Sequence, residues 1–214
     1  MEQDQFVAEI VWPGLEEGYF VEAGAVDGRR HSTTWSLEQA MGWRGLLVEA
    51  RQVEIAPMKL RRPRSYCVHA ALGAADKGHL ELRSWKQDIT GVMARPAGDT
   101  SAEWEARDPS GFRSETAPFR ALGSLLEEAG APSLLHFVTL DTEGGELATL
   151  RTFPFERYEI GALTVEHAYS YRYRGQLAAL LASNGMVYVG QTGWDDLWLS
   201  KSVASRVLER LWEQ

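Results

Sequence analysis

Apolar positions along the chain fall into short runs separated by longer amphipathic stretches, an alternation that predicts a parallel sheet with helical crossovers. Tyr19–Val21, Gly45–Val48 and Ser65–Ala71 have the aromatic and β-branched character of buried strands. Between the first two, Ser32 is a plausible N-cap for a helix through Trp35, Leu37, Glu38 and Met41; residues 52–61 predict a second helix. Upstream, Phe6, Ile10 and Val11 predict an amphipathic helix over residues 3–12, stopped by Pro13-Gly14, within a covering segment of residues 1–17. His79–Arg83 alternates as an edge strand or hairpin arm would. Residues 86–116, rich in Gly, Ser, Asp and Pro, predict an irregular insertion or lid, and helical spacing returns over Phe119–Glu128. Leu134–Leu140 and Ile160–Val165 predict two more buried strands, followed by a helix through Leu177–Leu181. Gly185–Val189 and Leu197–Leu199 predict a final strand pair around the turn Gly190–Trp194. Residues 202–214 predict a closing helix with Val207, Leu208 and Leu211 on its apolar side.

Composition narrows this picture without changing it. The 214 residues are 44% hydrophobic and 24% charged, which suits one globular domain over residues 1–214 with a substantial core. A formal net charge of −8 argues against binding a nucleic-acid backbone, and the basic cluster Lys59–Arg64 reads as a solvated helix end. The single cysteine, Cys67, excludes an intrachain disulfide and sits in an apolar run, as a core residue would. The acidic N-terminus lacks a signal-peptide pattern and no apolar window reaches the length of a membrane span, so the expectation is a cytoplasmic protein without membrane contact. Eight tryptophans leave room for an aromatic interface, but the oligomeric state does not follow from the sequence.

The chemistry concentrates at strand ends. After Tyr19–Val21 comes Glu22-Ala23-Gly24-Ala25-Val26-Asp27-Gly28, in which Gly24 and Gly28 let the backbone turn tightly and approach a ligand. In an open α/β sheet such a turn lies at the ligand-binding edge, while the spacing Glu-x-Gly-x-x-x-Gly differs from the dinucleotide fingerprint. Glu49, at the end of the second strand, suits a carboxylate that accepts both ribose hydroxyl hydrogens. Asp141-Thr142-Glu143-Gly144-Gly145-Glu146 follows the Leu134–Leu140 strand to the same edge, and Glu146 opens a helix where an acid also serves the dipole.

Taken in order, these blocks resemble the FkbM-type S-adenosylmethionine-dependent methyltransferases. The resemblance runs through Phe20–Gly28, Ser32-Thr33-Thr34 to Glu38, Gly42–Glu49, Ala70-Ala71-Leu72, Leu140–Glu146, Val165-Glu166-His167 and Asp195-Asp196-Leu197-Trp198, across roughly residues 18–200. It implies a Rossmann-like class I methyltransferase fold: a seven-stranded, mostly parallel sheet with an antiparallel last strand and helices on both faces. It also implies S-adenosylmethionine as cofactor. Mapped by position, Glu22 would lie near the cofactor's ammonium and the turn carrying Gly24, Ala25, Asp27 and Gly28 against its methionine part, with Ser32 opening the following helix. Glu49 would hold the ribose hydroxyls beside Ala50. Ala71 and Leu72 would frame the adenine, and Asp141 would border the methionine moiety or the substrate. The implied activity is O-methyl transfer to a hydroxyl of a sugar, glycan or secondary metabolite. Two positions depart from the family: Glu22 where Asp is frequent, and Val26 where Asn is common.

Methyl transfer is an in-line displacement, so positioning in a dry pocket supplies most of the catalysis. His167 is the candidate base for an alcohol nucleophile, with Asp141 and Glu166 beside it, although a histidine at a strand end equally serves as a structural hydrogen-bonding residue. Asp141, Glu143, Glu166 and His167 would suit Mg²⁺ or Mn²⁺. The reading preferred for them is metal-free: Asp141 and Glu143 bind cofactor and backbone, and Glu166 orients His167. Glu143, Tyr169, Tyr171, Arg172 and Arg174 are candidates to wall a polar acceptor, Tyr173 lying among them. A non-catalytic module on the same fold, supported by Val26, and a nicotinamide-dependent oxidoreductase, for which the turn is wrong, are the alternatives.

Overall fold

A computed structural model describes residues 2–85, 95–96, 112–167 and 171–212. The alternation of apolar runs builds what it predicts. Strands β1 (Tyr19–Ala23), β2 (Arg44–Glu49), β3 (Tyr66–His69), β8 (Leu134–Leu140), β9 (Glu159–Glu166), β10 (Met186–Thr192) and β11 (Asp195–Ser200) form a seven-stranded sheet, in the order β10-β11-β9-β8-β1-β2-β3 among the described residues. The neighbours from β9 through β8, β1 and β2 to β3 are parallel, and β11 runs antiparallel to both β9 and β10. This is the Rossmann-like arrangement with an antiparallel last strand.

The period of two along each strand divides the core between the sheet's faces. Tyr19, Val21 and Ala23 pack on one side with Leu122, Leu125 and Leu126 of α4 (Leu122–Glu128), Leu147 and Leu150 of α5 (Glu146–Arg151), and Leu177 and Leu181 of α6 (Tyr171–Ser183). Phe20, Leu47 and Phe137 face the other side, against Leu37 of α2 (Trp35–Met41), Ile55 and Met58 of α3 (Gln52–Arg61), and Val203 and Val207 of α7 (Lys201–Trp212). Both faces are covered, as a parallel sheet requires.

Several boundaries differ from the sequence reading. Residues 3–12 are a short α1 (Gln3–Gln5) that widens into a π-helical stretch over Phe6–Val11. The wider winding buries Val7, Val11 and Trp12 and leaves Phe6 and Ile10 partly covered; Trp12 Nε1 donates to the His136 carbonyl at 2.9 Å. The third strand ends at His69, and Ala71–Gly73 forms β4 of a second sheet. That sheet has the order β4-β7-β5-β6, with β5 (His79–Trp85), β6 (Arg95–Pro96) and β7 (Phe112–Ala121). The His79–Arg83 hairpin arm is present, paired antiparallel with β7 from His79↔Pro118 to Trp85↔Phe112. Residues 112–116 are therefore strand, not irregular insertion, and Phe119–Ala121 is strand rather than helix: sheet pairing overrides an apolar spacing that fits either period. The rest of the 86–116 insertion, apart from residues 95–96, lies outside the described residues.

On α7 the buried side chains are Val203, Ala204 and Val207, whereas Leu208 and Leu211 are exposed. Cys67 is buried, and burial pushes its thiol up to about 11, consistent with a core role. No helix among the described residues is long and apolar enough to cross a membrane.

A candidate cofactor cleft at the carboxyl edge of the sheet

Register aligns the candidate residues in one row. Ala23 pairs with Val48 and with Leu140, so the next positions, Gly24, Glu49 and Asp141, leave β1, β2 and β8 side by side. Leu140 pairs with Val165, which sets Glu166 next to Asp141, and Asp195 of β11 pairs with Glu166 itself. The parallel strands β1, β2, β8 and β9 deliver their carboxyl ends to one edge, where the antiparallel β11 begins at Asp195 and where open α/β sheets bind ligands.

Gly24 makes the approach possible. Its φ is +89°, and a Cβ there would stand 2.0 Å from the Asp141 carbonyl oxygen. Its N–H donates to the Val48 carbonyl at 3.0 Å, and Asp141 N–H donates to Ala23 at 3.1 Å, so the turn is stitched into both neighbouring strands.

Glu49 is buried and held from both sides. Its Oε2 accepts from Val26 N–H at 2.8 Å and its Oε1 from Arg51 N–H at 2.7 Å. Burial pushes its carboxyl up to about 7, against the pull of those two N–H groups and the Arg51 charge. Each oxygen retains a second lone pair, and Glu49 borders a partly open cleft. The cleft's apolar end comes from Val48, Ala71 and Leu72, with Leu80 and Leu82 contributed by the second sheet; its polar end comes from Asp141, Thr142, Glu143 and His31. Gly24, Val26 and Ala50 also line it, and among the described residues no Lys or Arg does.

Beyond Asp141 the row turns strongly acidic. Asp141 is open to the cleft yet crowded by carboxylates: its walled position first, then Glu143, Asp195 and Glu146, raise its pKa, while a hydrogen bond with Glu166 lowers it. Glu166 is raised by burial and by the same neighbours. Burial lifts Asp195 to about 6, against a hydrogen bond from Gln3 at 2.7 Å. A second cleft, lined by Gln3, Glu22, Gly24, His31, Thr33, Thr139, Asp141 and Asp195, adjoins the first across the Gly24–Asp141 rim.

A family model described as the Methyltransferase FkbM domain matches residues 22–198. The chain belongs to that family. A comparison with curated proteins finds no significant match. Among solved structures, methyltransferase FkbM from Methylobacillus flagellatus KT is similar at 13% identity, over 92% of this chain and 50% of its own, with a TM-score of 0.48. The chain thus spans about half the length of that protein. A TehB-like SAM-dependent methyltransferase from Corynebacterium glutamicum ATCC 13032 is similar at 11% identity, over 92% of this chain and 86% of its own (TM-score 0.47). Geranyl diphosphate C-methyltransferase from Streptomyces coelicolor A3(2), solved with Mg²⁺, geranyl diphosphate and S-adenosyl-L-homocysteine, is similar at 10%, over 90% and 62% (TM-score 0.45).

Within this FkbM-domain chain, Gly24, Glu49, Ala50, Ala71, Leu72, Asp141 and Glu143 line the first cleft, and Glu22 lines the adjoining one. The other expected residues serve elsewhere. Ser32 is not an N-cap, since α2 begins at Trp35; its Oγ donates to Glu22 at 2.8 Å. Thr33 N–H at 2.9 Å and the Thr34 hydroxyl also reach Glu22, and Arg62 Nη1 lies 3.6 Å away, so this carboxylate secures the loop that follows the turn. Asp27 turns away from the cleft. Despite its burial it is held low by the N–H groups of Arg30 and Arg29 and by the Arg30 guanidinium, with Arg61 at 2.8 Å. Ala25 is buried in the core, and Gly28, which also does not line the cleft, packs against α3, where a Cβ would meet Arg62 Cγ at 2.8 Å.

His167 is buried, lines neither cleft, and lies 3.5 Å from Gln191 Nε2. Arg174 is committed to Asp196 through two contacts of 2.8 and 2.6 Å, which leaves it unsuited to hold an acceptor. Tyr171 and Arg172 are exposed at the start of α6 and line neither cleft; Tyr169 lies outside the described residues. Tyr173 donates to Glu146 Oε2 at 2.7 Å, and Glu146 accepts from Thr142 N–H at 2.7 Å and Gly144 N–H at 3.1 Å, clamping the loop after β8. Among the described residues no three of His, Cys, Asp and Glu converge as metal ligands, so Asp141, Glu143, Glu166 and His167 do not form the metal group the sequence allowed.

Sequence reasoning missed four contributors. Leu80 and Leu82 arrive from the second sheet and carried no local signal. Asp195 stood in a family block without a role. His31 carried one available signal, a polar residue in the loop directly after the glycine turn.

Proposed function

We propose that this chain is an S-adenosylmethionine-dependent methyltransferase that transfers a methyl group to a hydroxyl of a sugar, glycan or secondary metabolite. The observation that carries the reading is the sequence of chemistries along one row: an apolar slot, a backbone-anchored acceptor at Glu49, then the acids Asp141, Glu166 and Asp195. An adenine suits the slot and ribose hydroxyls suit the free lone pairs of Glu49. The acidic end suits a cationic amino group and sulfonium, and with no Lys or Arg among the described residues of its lining it opposes a dinucleotide's pyrophosphate. That contrast disfavours the nicotinamide reading. When bound, S-adenosylmethionine supplies an electrophilic methyl carbon. The chain's own part is to orient the cofactor through Glu49 and the Gly24 turn and to present an acceptor across the Asp141 rim.

The acceptor is tested by incubating the protein with S-adenosylmethionine carrying a ¹³C-methyl group and a panel of sugars, glycans and hydroxylated metabolites. Nuclear magnetic resonance then reads the atom to which the label is attached. A new methyl ether is expected; label found only on nitrogen or carbon would overturn the hydroxyl assignment.

A further inference from the structure

Three clefts meet at one side chain. His31 lines the cleft that holds Glu49, the acidic cleft beside it, and an outer opening formed with Asp4, Gly193 and Trp194. The first two clefts also share Gly24 and Asp141, and the second and outer ones share Gln3, Thr33 and Asp195, but among the described residues His31 alone is common to all three. The imidazole therefore stands on the border between the outer opening and the Glu49 cleft.

The loop is built to hold it there. On one side, Asp27 accepts the N–H groups of Arg29 and Arg30 at 3.0 and 2.8 Å. On the other, Glu22 takes Ser32, Thr33 and Thr34. The buried Arg62 spans both halves, donating to the Gly28 carbonyl at 3.0 Å, Ser32 Oγ at 3.1 Å and Thr34 Oγ1 at 2.9 Å. Between the two anchors His31 takes a left-handed backbone, φ +57°, which reverses the chain. Its flanking side chains work inward: Arg30 pairs with Asp27, and Ser32 with Glu22. The His31 ring is exposed at the cleft wall and makes no hydrogen bond with the described residues.

We infer that His31 is a catalytic residue that accepts the acceptor's hydroxyl proton during methyl transfer. This rests on the proposed S-adenosylmethionine reading. A ring nitrogen of His31 takes the proton as the acceptor oxygen forms its bond to the methyl carbon, and the electron pair of the carbon–sulfur bond returns to sulfur, leaving a neutral thioether and an imidazolium. Glu22, Asp141 and Asp195 face the same space and stabilise that imidazolium. Asp141 is the competing base, but it is tied to Glu166.

The test needs no knowledge of the acceptor. Histidine ring resonances are titrated in two complexes of the full chain, one with S-adenosylhomocysteine, whose sulfur is neutral, and one with sinefungin, which has a carbon in place of the sulfur and, on it, an amine where the transferable methyl stands. His31→Gln assigns the resonance, and its S-adenosylhomocysteine affinity is expected within about 3-fold of wild type, which corresponds to under about 1 kcal/mol. If His31 faces the reacting carbon, its midpoint is about 0.5–1 pH unit lower with sinefungin than with S-adenosylhomocysteine, as a nearby added positive charge dictates. Identical midpoints with both ligands bound, or a shift at His167 instead, would overturn the assignment. Failure of both ligands to bind the folded chain would remove the cofactor reading and this inference with it.

Discussion

Gly24 shows how tightly the edge is specified at single residues. Two separate constraints act on it: a left-handed backbone, and the Asp141 carbonyl 2.0 Å from where a Cβ would stand. Gly14 shares the first, with φ +72°, but has open space around it. Gly14→Ala should therefore cost about 1–2 kcal/mol, the backbone penalty alone. Gly24→Ala should lose about 3 kcal/mol or more, because two strand ends must separate. Thermal unfolding of the two variants separates the contributions, and equal losses would show that the close approach is not a constraint. The importance of Gly24 was legible in the sequence as a glycine after an apolar run. What the sequence did not show is that Asp27 and Ser32, equally polar and equally near, turn away from the cleft. Which side a turn residue faces depends on partners such as Arg61 and Glu22 that the local pattern does not reveal.

Strand ends, considered together, place carboxylates closer than ionisation favours. Burial pushes Glu49 to about 7 and Asp195 to about 6, and Asp141 and Glu166 are raised as well, from ordinary values near 4. The folded chain therefore keeps protons that the unfolded chain has released. Stability contributed by these groups is complete below pH 4 and falls as pH rises through about 7. Asp27 and Asp76 are held low and act in the opposite sense, but only below their ordinary value of 3.8; His136, lowered first by burial and then by Arg206, opposes the trend below 6.5. Above that the carboxylates dominate. Melting temperature should drop between pH 6.5 and 8, and Glu166→Gln should raise it at pH 8 by ~2–4 °C, about 1 kcal/mol for a chain of this size. A variant no more stable than wild type at pH 8 would contradict the crowding. The strands carrying these groups were legible because each is a continuous apolar run. Phe119–Ala121 was not, since its spacing fits a helix and only pairing with β4 makes it strand.

Across the whole molecule the main sheet supplies one wall of the cleft and the second sheet the other. The first wall was readable from order alone, since strand, glycine turn, strand and acidic turn recur in a sequence that a parallel sheet must bring to one edge. The second was not, because Leu80 and Leu82 reach the cleft through a hairpin whose partner strand lies beyond residue 111. The same non-local folding displaces expected acceptor residues: Arg174 is drawn to Asp196 across α6 and β11, and His167 is buried while His31 is exposed and lines the cleft with Asp141 and Asp195. The proposed function makes the space between the two walls a site for an adenosyl cation anchored at Glu49, and calorimetric titration with S-adenosylhomocysteine tests it most directly. Saturable binding to one site is expected, weakened about 10- to 100-fold in Glu49→Ala, the range for lost hydrogen bonds to a charged acceptor. A folded wild-type chain that takes up no S-adenosylhomocysteine, or a Glu49→Ala variant that binds it equally well, would contradict that site.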